Sequence, residues 1–352
     1  MRALAGGLVL FCLAGCVTYP EERLELGAQP EALPRPDSVS IMTYNIEGLT
    51  WPARTGRAPF LEKISEEFAR MAQVGELPDV VVFQEAFSTT ALRTAAGSPH
   101  PIFALGPRRS TKTSFAKTQD PVLRKRNILR GEWGIKTFGS GLAVASRYAV
   151  SEVAEEPFGP SSCAGWDCLS NKGMLLVRVH LPGYAAPLEI LTTHMNSQGS
   201  SGVSKAKQVA SHKVQSEELA QFINQHSREA NPLIIAGDFN MRGSPARFEE
   251  FERQNGYMLA RRYCQEREET EAACEIAVSW DGDAPWMDTQ DLQIFDQGTQ
   301  LRVRPVKLEA WFDGDDSGGK LSDHDAYVVT YALEDGANSQ DGAKPNGDAA
   351  RR

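Results

Sequence analysis

Five apolar runs in this chain each carry acids, amides or a histidine at one end, and that recurrence limits what it can fold into. Ser38 to Ile46 alternates as a strand does and ends in Tyr44-Asn45-Ile46-Glu47-Gly48. Asp79-Val-Val-Val-Phe, apolar throughout after its aspartate, has the pattern of a strand covered on both faces and runs into Gln84-Glu85. Leu188 to Thr193 leads to His194-Met195-Asn196, and Pro232 to Ala236 leads to Gly237-Asp238-Phe239-Asn240. Ser322-Asp323-His324-Asp325 stands in front of a strand from Ala326 to Leu333. Gly141 to Arg147 and Met174 to His180 read as two further strands. Phe60, Leu61, Ile64, Phe68 and Met71 recur at helical spacing, and a second helix is expected from Ser204 to His226 with Val209, Leu219, Phe222 and Ile223 buried. Strand ends on a rigid scaffold are where chemistry is presented.

Singly, each polar end has an ordinary reading: a solvated acid at Glu85, a hydrogen-bonded core histidine at His194, an Asx turn at Gly-Asp-Phe-Asn. Taken together and in order, Tyr44-Asn45-Ile46, Gln84-Glu85, Thr193-His194-x-Asn196, Gly237-Asp238-Phe239-Asn240 and Ser322-Asp323-His324 resemble the endonuclease/exonuclease/phosphatase superfamily. Its members include pancreatic-type deoxyribonucleases, abasic-site endonucleases, inositol polyphosphate phosphatases and neutral sphingomyelinases. The matching elements span residues 41 to 331. The resemblance implies an α/β fold in one domain, residues 37–333: a four-layer sandwich of two mixed, mainly antiparallel sheets packed face to face with helices outside.

Phosphoester hydrolysis needs an activated water, neutralisation of the phosphoryl oxygens and help for the leaving group. Glu85 and Asn45 match the family's metal positions, and their oxygens suit magnesium, with manganese and a second ion as open alternatives. His324 matches the family's base, since an imidazole accepts a proton near neutral pH. The acid that orients it is Asp323 or Asp291; Gln293 interrupts the family's apolar pattern after Asp291. Asp238 and Asn240 match positions that hold the nucleophile, a second metal or a phosphoryl oxygen, and His194 would donate to a phosphoryl oxygen. The resulting expectation is a magnesium-dependent phosphodiesterase, a hydrolase using direct water attack.

The substrate is less legible. Tyr44-Asn45-Ile46-Glu47-Gly48-Leu49-x-x-Pro52 and Asn171-Lys172-Gly173 before a strand resemble the sphingomyelinase-like branch, with Lys172 and Asn196 as phosphate contacts. Lysine plus arginine number 37 against 46 acids, a formal charge of −9 that repels polyanions on average. Arg108, Arg109, Lys112, Lys117, Arg124, Lys125, Arg126, Arg130 and Lys136 nevertheless form a local basic stripe, broken only by Asp120 and Glu132. Such a stripe suits nucleic acid, an anionic membrane or no partner at all. Trp280 and Trp286 would stack bases, touch lipid or pack their loop. A sphingomyelinase or phospholipase C-like enzyme therefore leads, a surface endonuclease is the alternative, and a non-catalytic phosphate-binding protein is the third reading. The chain is expected to act as a monomer.

Residues 1–15 read as a secretory signal whose Leu13-Ala14-Gly15-Cys16 end resembles a bacterial lipobox, with Cys16 acylated and Val17 favouring the outer membrane. Residues 16–36 read as a flexible tether and 334–352 as a disordered tail. Export to an oxidising envelope or cell surface favours disulfides Cys163–Cys168 and Cys264–Cys274 over a zinc site.

Overall fold

The structure, a computed structural model, describes residues 17–25, 33–50, 53–268, 270, 273–278, 284–314 and 319–336. The strands run in order β1 (Ser38–Asn45), β2 (Val80–Gln84), β3 (Ile102–Leu105), β4 (Ala143–Ser146), β5 (Val150–Pro157), β6 (Gly173–Val179), β7 (Leu188–His194), β8 (Leu233–Asp238), β9 (Met258–Leu259), β10 (Glu275–Ala277), β11 (Asp291–Asp296), β12 (Leu301–Trp311) and β13 (Ala326–Asp335). The helices are α1 (Ala58–Val74), α2 (Thr89–Ala96), α3 (Pro121–Arg124), α4 (Lys205–His226), α5 (Pro245–Asn255) and α6 (Ala260–Gln265).

One seven-stranded sheet has the order β10-β12-β13-β1-β2-β4-β3, and a six-stranded sheet has β5-β6-β7-β8-β11-β9. Each sheet carries a parallel pair, β1 with β2 and β7 with β8. Parallel neighbours need a crossover, which α1 supplies in the first case and α4 in the second. Most other pairings are antiparallel. The apolar residues fall into three layers, as the two-sheet sandwich with outer helices requires. Val39, Ile41, Val82, Val177, Ile190 and Phe295 fill the space between the sheets. Leu61, Ile64, Phe68 and Met71 of α1 cover one outer face, and Leu219, Phe222 and Ile223 of α4 cover the other. The expected architecture is what the chain adopts.

Several local expectations need revision. Phe60 lies outside the buried stripe of α1, 43% exposed beneath the Arg57 guanidinium. In α4 the buried face is largely polar, with Lys207, Ser211, His212, Gln215, Ser216 and Glu218 beside the apolar residues, while Val209 is half-buried. Part of the segment expected to be a free tether is laid on the sheet edge: Arg23 forms a bridge with Phe103, and Glu22 accepts from the Leu105 amide at 2.9 Å. An edge strand with open backbone groups provides the reason for that docking. The ordered chain also runs past Leu333, with Asp335 ending β13 and meeting Arg35 at 2.6 Å. The signal and Cys16, Pro52, Trp280 and the tail beyond Gly336 lie outside the described residues. Both expected disulfides, Cys163–Cys168 and Cys264–Cys274, are formed.

Candidate active site

The parallel pairs bring the C-terminal ends of β1, β2, β7 and β8 to one end of the sandwich. In register, Asn45 stands opposite Gln84, His194 opposite Asp238, and Asp238 opposite Asp291 at the start of the antiparallel β11. Gly237 permits this approach, because a Cβ there would stand 2.1 Å from the Thr193 carbonyl oxygen. Gly48 does the same for the loop after β1, where a Cβ would meet the Glu85 carbonyl oxygen at 2.3 Å. Glu47, Glu85 and Asn240 hold left-handed backbone, with φ of 49°, 58° and 52°. Non-glycine residues avoid that region unless their surroundings enforce it, and here they gather where strands end.

His324 is braced on one side. Its Nδ1–H donates to Asp291 Oδ2 at 2.6 Å, which leaves Nε2 as the ring atom facing the cleft. Asn45 Nδ2 and Gln290 Nε2 each lie 3.5 Å from Nε2, and Asp238 Oδ2 lies at 3.9 Å. Burial alone would make the imidazole harder to protonate; Asp291 and Asp238 outweigh it and raise its pKa well above the usual histidine value. Asp323, the other candidate to orient the ring, is exposed, pairs with Arg54 at 2.9 Å and comes only within 4.0 Å of Nε2. Geometry therefore separates the two acids in favour of Asp291.

Across the cleft, Asp238 accepts from the Asn240 amide at 2.9 Å and from Asn45 Nδ2 at 3.1 Å, with His194 Nε2 at 3.2 Å. Burial works to raise this carboxyl, but the charge and hydrogen bond of His194, with His324 and Lys172 beyond, hold it below the usual carboxylate range. His194 Nε2 also receives Lys172 Nζ at 2.9 Å. One ring nitrogen cannot accept from lysine and donate to aspartate at once, so the ring's protonation selects its partner. Lys172 itself is buried and ion-paired with Asp167, and donates to the Met195 carbonyl at 3.1 Å.

Among charged groups of the described residues, the Glu85 carboxylate meets only His194 within 4.0 Å. It is thus an acid at the cleft without a close cation. Asn45, fully buried and paired in register with Gln84 next to Glu85, accepts through Oδ1 from the Glu47 amide at 3.1 Å. No group of three or more His, Cys, Asp or Glu side chains forms a ready-made cage among the described residues. Two hard oxygen donors and little else fit a magnesium ion, which keeps several of its own waters, and do not fit structural zinc.

Asn196 and Lys172, expected at the phosphate, are directed elsewhere. Asn196 is fully buried, accepting from the Ala164 amide at 2.7 Å and donating to the Ser197 carbonyl at 2.9 Å. Asn240 Nδ2 likewise donates inward, to the Met195 carbonyl at 3.1 Å. Both asparagines shape the loops that carry His194 and Asp238. The same loops are tied by Arg247, a buried cation whose Nη1 donates to the Asn196 and Asn240 carbonyls at 2.7 and 2.8 Å. Arg57 plays this part on the other sheet, donating to the carbonyls of Ile46, Glu47 and Leu321. Arg247, Arg57, Asp167 and Gln290 escaped the sequence reading, since nothing in their neighbours signals which distant carbonyl or ring they meet. Trp286 packs its loop beneath Arg262, whose guanidinium is 4.7 Å from the ring.

Two stacked mixed sheets with this cluster at one end define the deoxyribonuclease-like sandwich class. Residues 42–324 match the model of the Endonuclease/Exonuclease/phosphatase family, and the chain belongs to that family. It is 26% identical over 231 residues to sphingomyelin phosphodiesterase 2 of Rattus norvegicus, a match covering 60% of this chain and 52% of the relative, so the chain spans about half that protein's length. A mutant of beta toxin from Staphylococcus aureus with bound magnesium ions superposes with a TM-score of 0.55 at 16% identity, over 84% of this chain and 99% of that one. D. rerio TDP2 complexed with a single-strand DNA product gives 0.53 at 18% identity, over 84% and 99%.

Proposed function

We propose that the chain is a magnesium-dependent phosphodiesterase that hydrolyses a phospholipid head-group ester, with sphingomyelin as its substrate type. The observation that carries the hydrolytic reading is the His324–Asp291 pair set beside Asp238, His194 and Glu85 at one end of the sandwich. His324 Nε2 takes the proton from the attacking water when the ring is neutral, the form in which Asp291 keeps the remaining proton on Nδ1. The pull of Asp291 and Asp238 toward the protonated ring means that this form needs positive charge nearby. Asn45 positions the Asp238 carboxylate, and His194, in the form whose Nε2 carries the proton and no longer accepts from Lys172, donates to a phosphoryl oxygen as negative charge grows there. Glu85 and Asn45 are the residues that would hold the ion. When bound, the ion supplies positive charge to the phosphoryl oxygens and lowers the proton affinity of nearby groups. The rat relative supports the lipid substrate over the nucleic acid of the D. rerio neighbour. Cys16, at the end of Leu13-Ala14-Gly15-Cys16 and followed by Val17, would place the enzyme on the outer membrane through an attached lipid.

The test sets purified chain against sphingomyelin vesicles and plasmid DNA, with magnesium and with chelator. Release of phosphocholine that needs magnesium, with DNA intact, is expected. Nicked DNA and intact lipid would transfer the reading to the nuclease, and no cleavage of any phosphodiester with any divalent ion would end the enzymatic one.

A further inference from the structure

Six of the nine large apolar side chains that stand in solvent among the described residues fall between Val122 and Trp166, five of them within Val122–Ile135. Ile128, Leu129 and Ile135 are 65%, 87% and 67% exposed, and Val122, Trp133 and Trp166 are 39%, 41% and 40% exposed. Val122, Lys125, Arg126, Ile128, Leu129 and Arg130 line a single open concavity of about 850 Å³. Trp133 Nε1 donates to the Ile128 carbonyl at 2.5 Å, and the Trp166 ring lies over Gly131 and Gly202, where added Cβ atoms would stand 2.9 and 3.1 Å from it.

A mere connector would turn its aliphatic residues inward. Here Leu123 and Glu132 occupy the inward positions, and the other apolar side chains project among cations. Arg124, Lys125, Arg126 and Arg130 are exposed and form no ion pair among the described residues. Elsewhere in the basic stripe Arg108 pairs with Glu22 at 3.6 Å and Lys136 is half-buried on the Ser170 carbonyl at 2.9 Å, while Arg109, Lys112 and Lys117 are exposed but have none of these apolar side chains beside them in sequence.

Single-stranded nucleic acid is held by cations and flat rings on which bases stack. Aliphatic tips between cations match instead a bilayer interface, where apolar side chains enter the acyl boundary and long cations reach back to phosphates. We infer that Pro121–Ile135, together with Trp166, is a docking surface for a bilayer containing anionic phospholipid. Trp166 precedes Asp167, which holds Lys172 against His194, so docking sets the cleft at the lipid surface. The inference deepens the lipid reading, and its binding test stands apart from catalysis.

Amide exchange of the full-length His324→Ala chain is compared in solution, on phosphatidylcholine vesicles, and on vesicles mixed with phosphatidylglycerol. On the mixed vesicles the amides of residues 121–135 should slow about tenfold or more, while those of α1 keep their solution rates. The double variant Ile128→Asp, Leu129→Asp should lose that protection, and should cleave a soluble bis-aryl phosphodiester as the unaltered chain does when His324 is present. Each of Arg124, Lys125, Arg126 and Arg130 changed to Gln should weaken binding about fivefold on the mixed vesicles. Unchanged exchange at 121–135, or full protection in the aspartate variant, overturns the inference. Protection by a single-stranded oligonucleotide but not by vesicles overturns it in favour of nucleic acid. Vesicle protection without sphingomyelin hydrolysis upholds the docking surface and removes the substrate assignment alone.

Discussion

At the strand ends and in the long connection between β3 and β4, carboxylates are buried for opposite purposes. Asp291 and Asp238 sit where ladders satisfy most of the backbone, so that apart from the Asn240 amide, which Asp238 accepts, their oxygens are left for His324, His194 and Asn45. The connection lacks ladder partners, and its neighbouring acids serve as substitutes for them. Glu132 accepts from the Asn127 and Gly165 amides and from Lys207, at 2.5, 2.8 and 2.6 Å. Glu218 of α4 does the same for the connection between β5 and β6, accepting from the Gly159 amide at 3.0 Å and from the Ser162 hydroxyl. A sheet frees its acids for chemistry, whereas a loop consumes them as scaffold and turns its cations outward.

Removing the base is the largest way to break this contrast. His324→Ala should lower kcat about a thousandfold, an effect in the range of general-base catalysis, with little change in unfolding midpoint. Asp291→Asn should lower kcat by more than Asp323→Asn, because the Arg54–Asp323 pair is half exposed and of a kind worth under about 1 kcal/mol. Steady-state kinetics decide it. Equal losses in the two asparagine variants would return Asp323 to the role of orienting acid.

The scaffold acids make a prediction of the next size. Burial pushes the Glu218 carboxyl up to about 7, and the Ser162 and Gly159 bonds only partly offset it. A raised carboxyl favours the neutral form in the fold, so its stabilising contribution is complete below the unfolded value near 4.5 and is lost as pH rises through about 7. Glu218→Gln keeps an acceptor and removes the charge. Above pH 8 it should be more stable than the parent by on the order of 2–3 kcal/mol, with no advantage at pH 4. Urea titrations across that range check it, and parallel pH profiles for the two proteins would show that Glu218 is not held neutral.

This contrast also explains what could be read from the chain. The strand-end cluster was legible because an apolar run and the polar residue at its end are adjacent in sequence, so Glu85, His194 and Asp238 were found where strands stop and His324 where one starts. The buried face of α4 was not. His212 donates to the Phe239 carbonyl at 3.0 Å and Gln215 accepts from the Asn196 amide at 2.7 Å, pairings set by loops many residues away. Apolar periodicity cannot register a helix that packs through hydrogen bonds. Asp167 was hidden for a similar reason, being an unremarkable acid between two cysteines until the disulfide and the Lys172 contact place it.

Gln293, which looked like a defect in the strand pattern, gives the smallest and most local test. Side chains alternate along β11, so Asp291, Gln293 and Phe295 share the face between the sheets, while Leu292 and Ile294 face the outer helices. Gln293 is fully buried and crosses that space, donating to the Ile41 and Tyr327 carbonyls at 2.8 and 3.2 Å and accepting from the Tyr331 hydroxyl at 3.2 Å. It joins the two sheets two residues from the acid that braces His324. Gln293→Leu preserves volume but strips both carbonyls and the hydroxyl of a partner. The carbonyls retain a second lone pair for their ladders, so the loss should be about 1–2 kcal/mol in urea unfolding rather than the full cost of isolated polar groups. Asp291 stays on its own backbone, and kcat should fall far less than in Asp291→Asn. A variant as stable as the parent would mean that apolar contact alone holds the sheets together here; one as inactive as Asp291→Asn would mean that the bridge, rather than the strand, positions the acid.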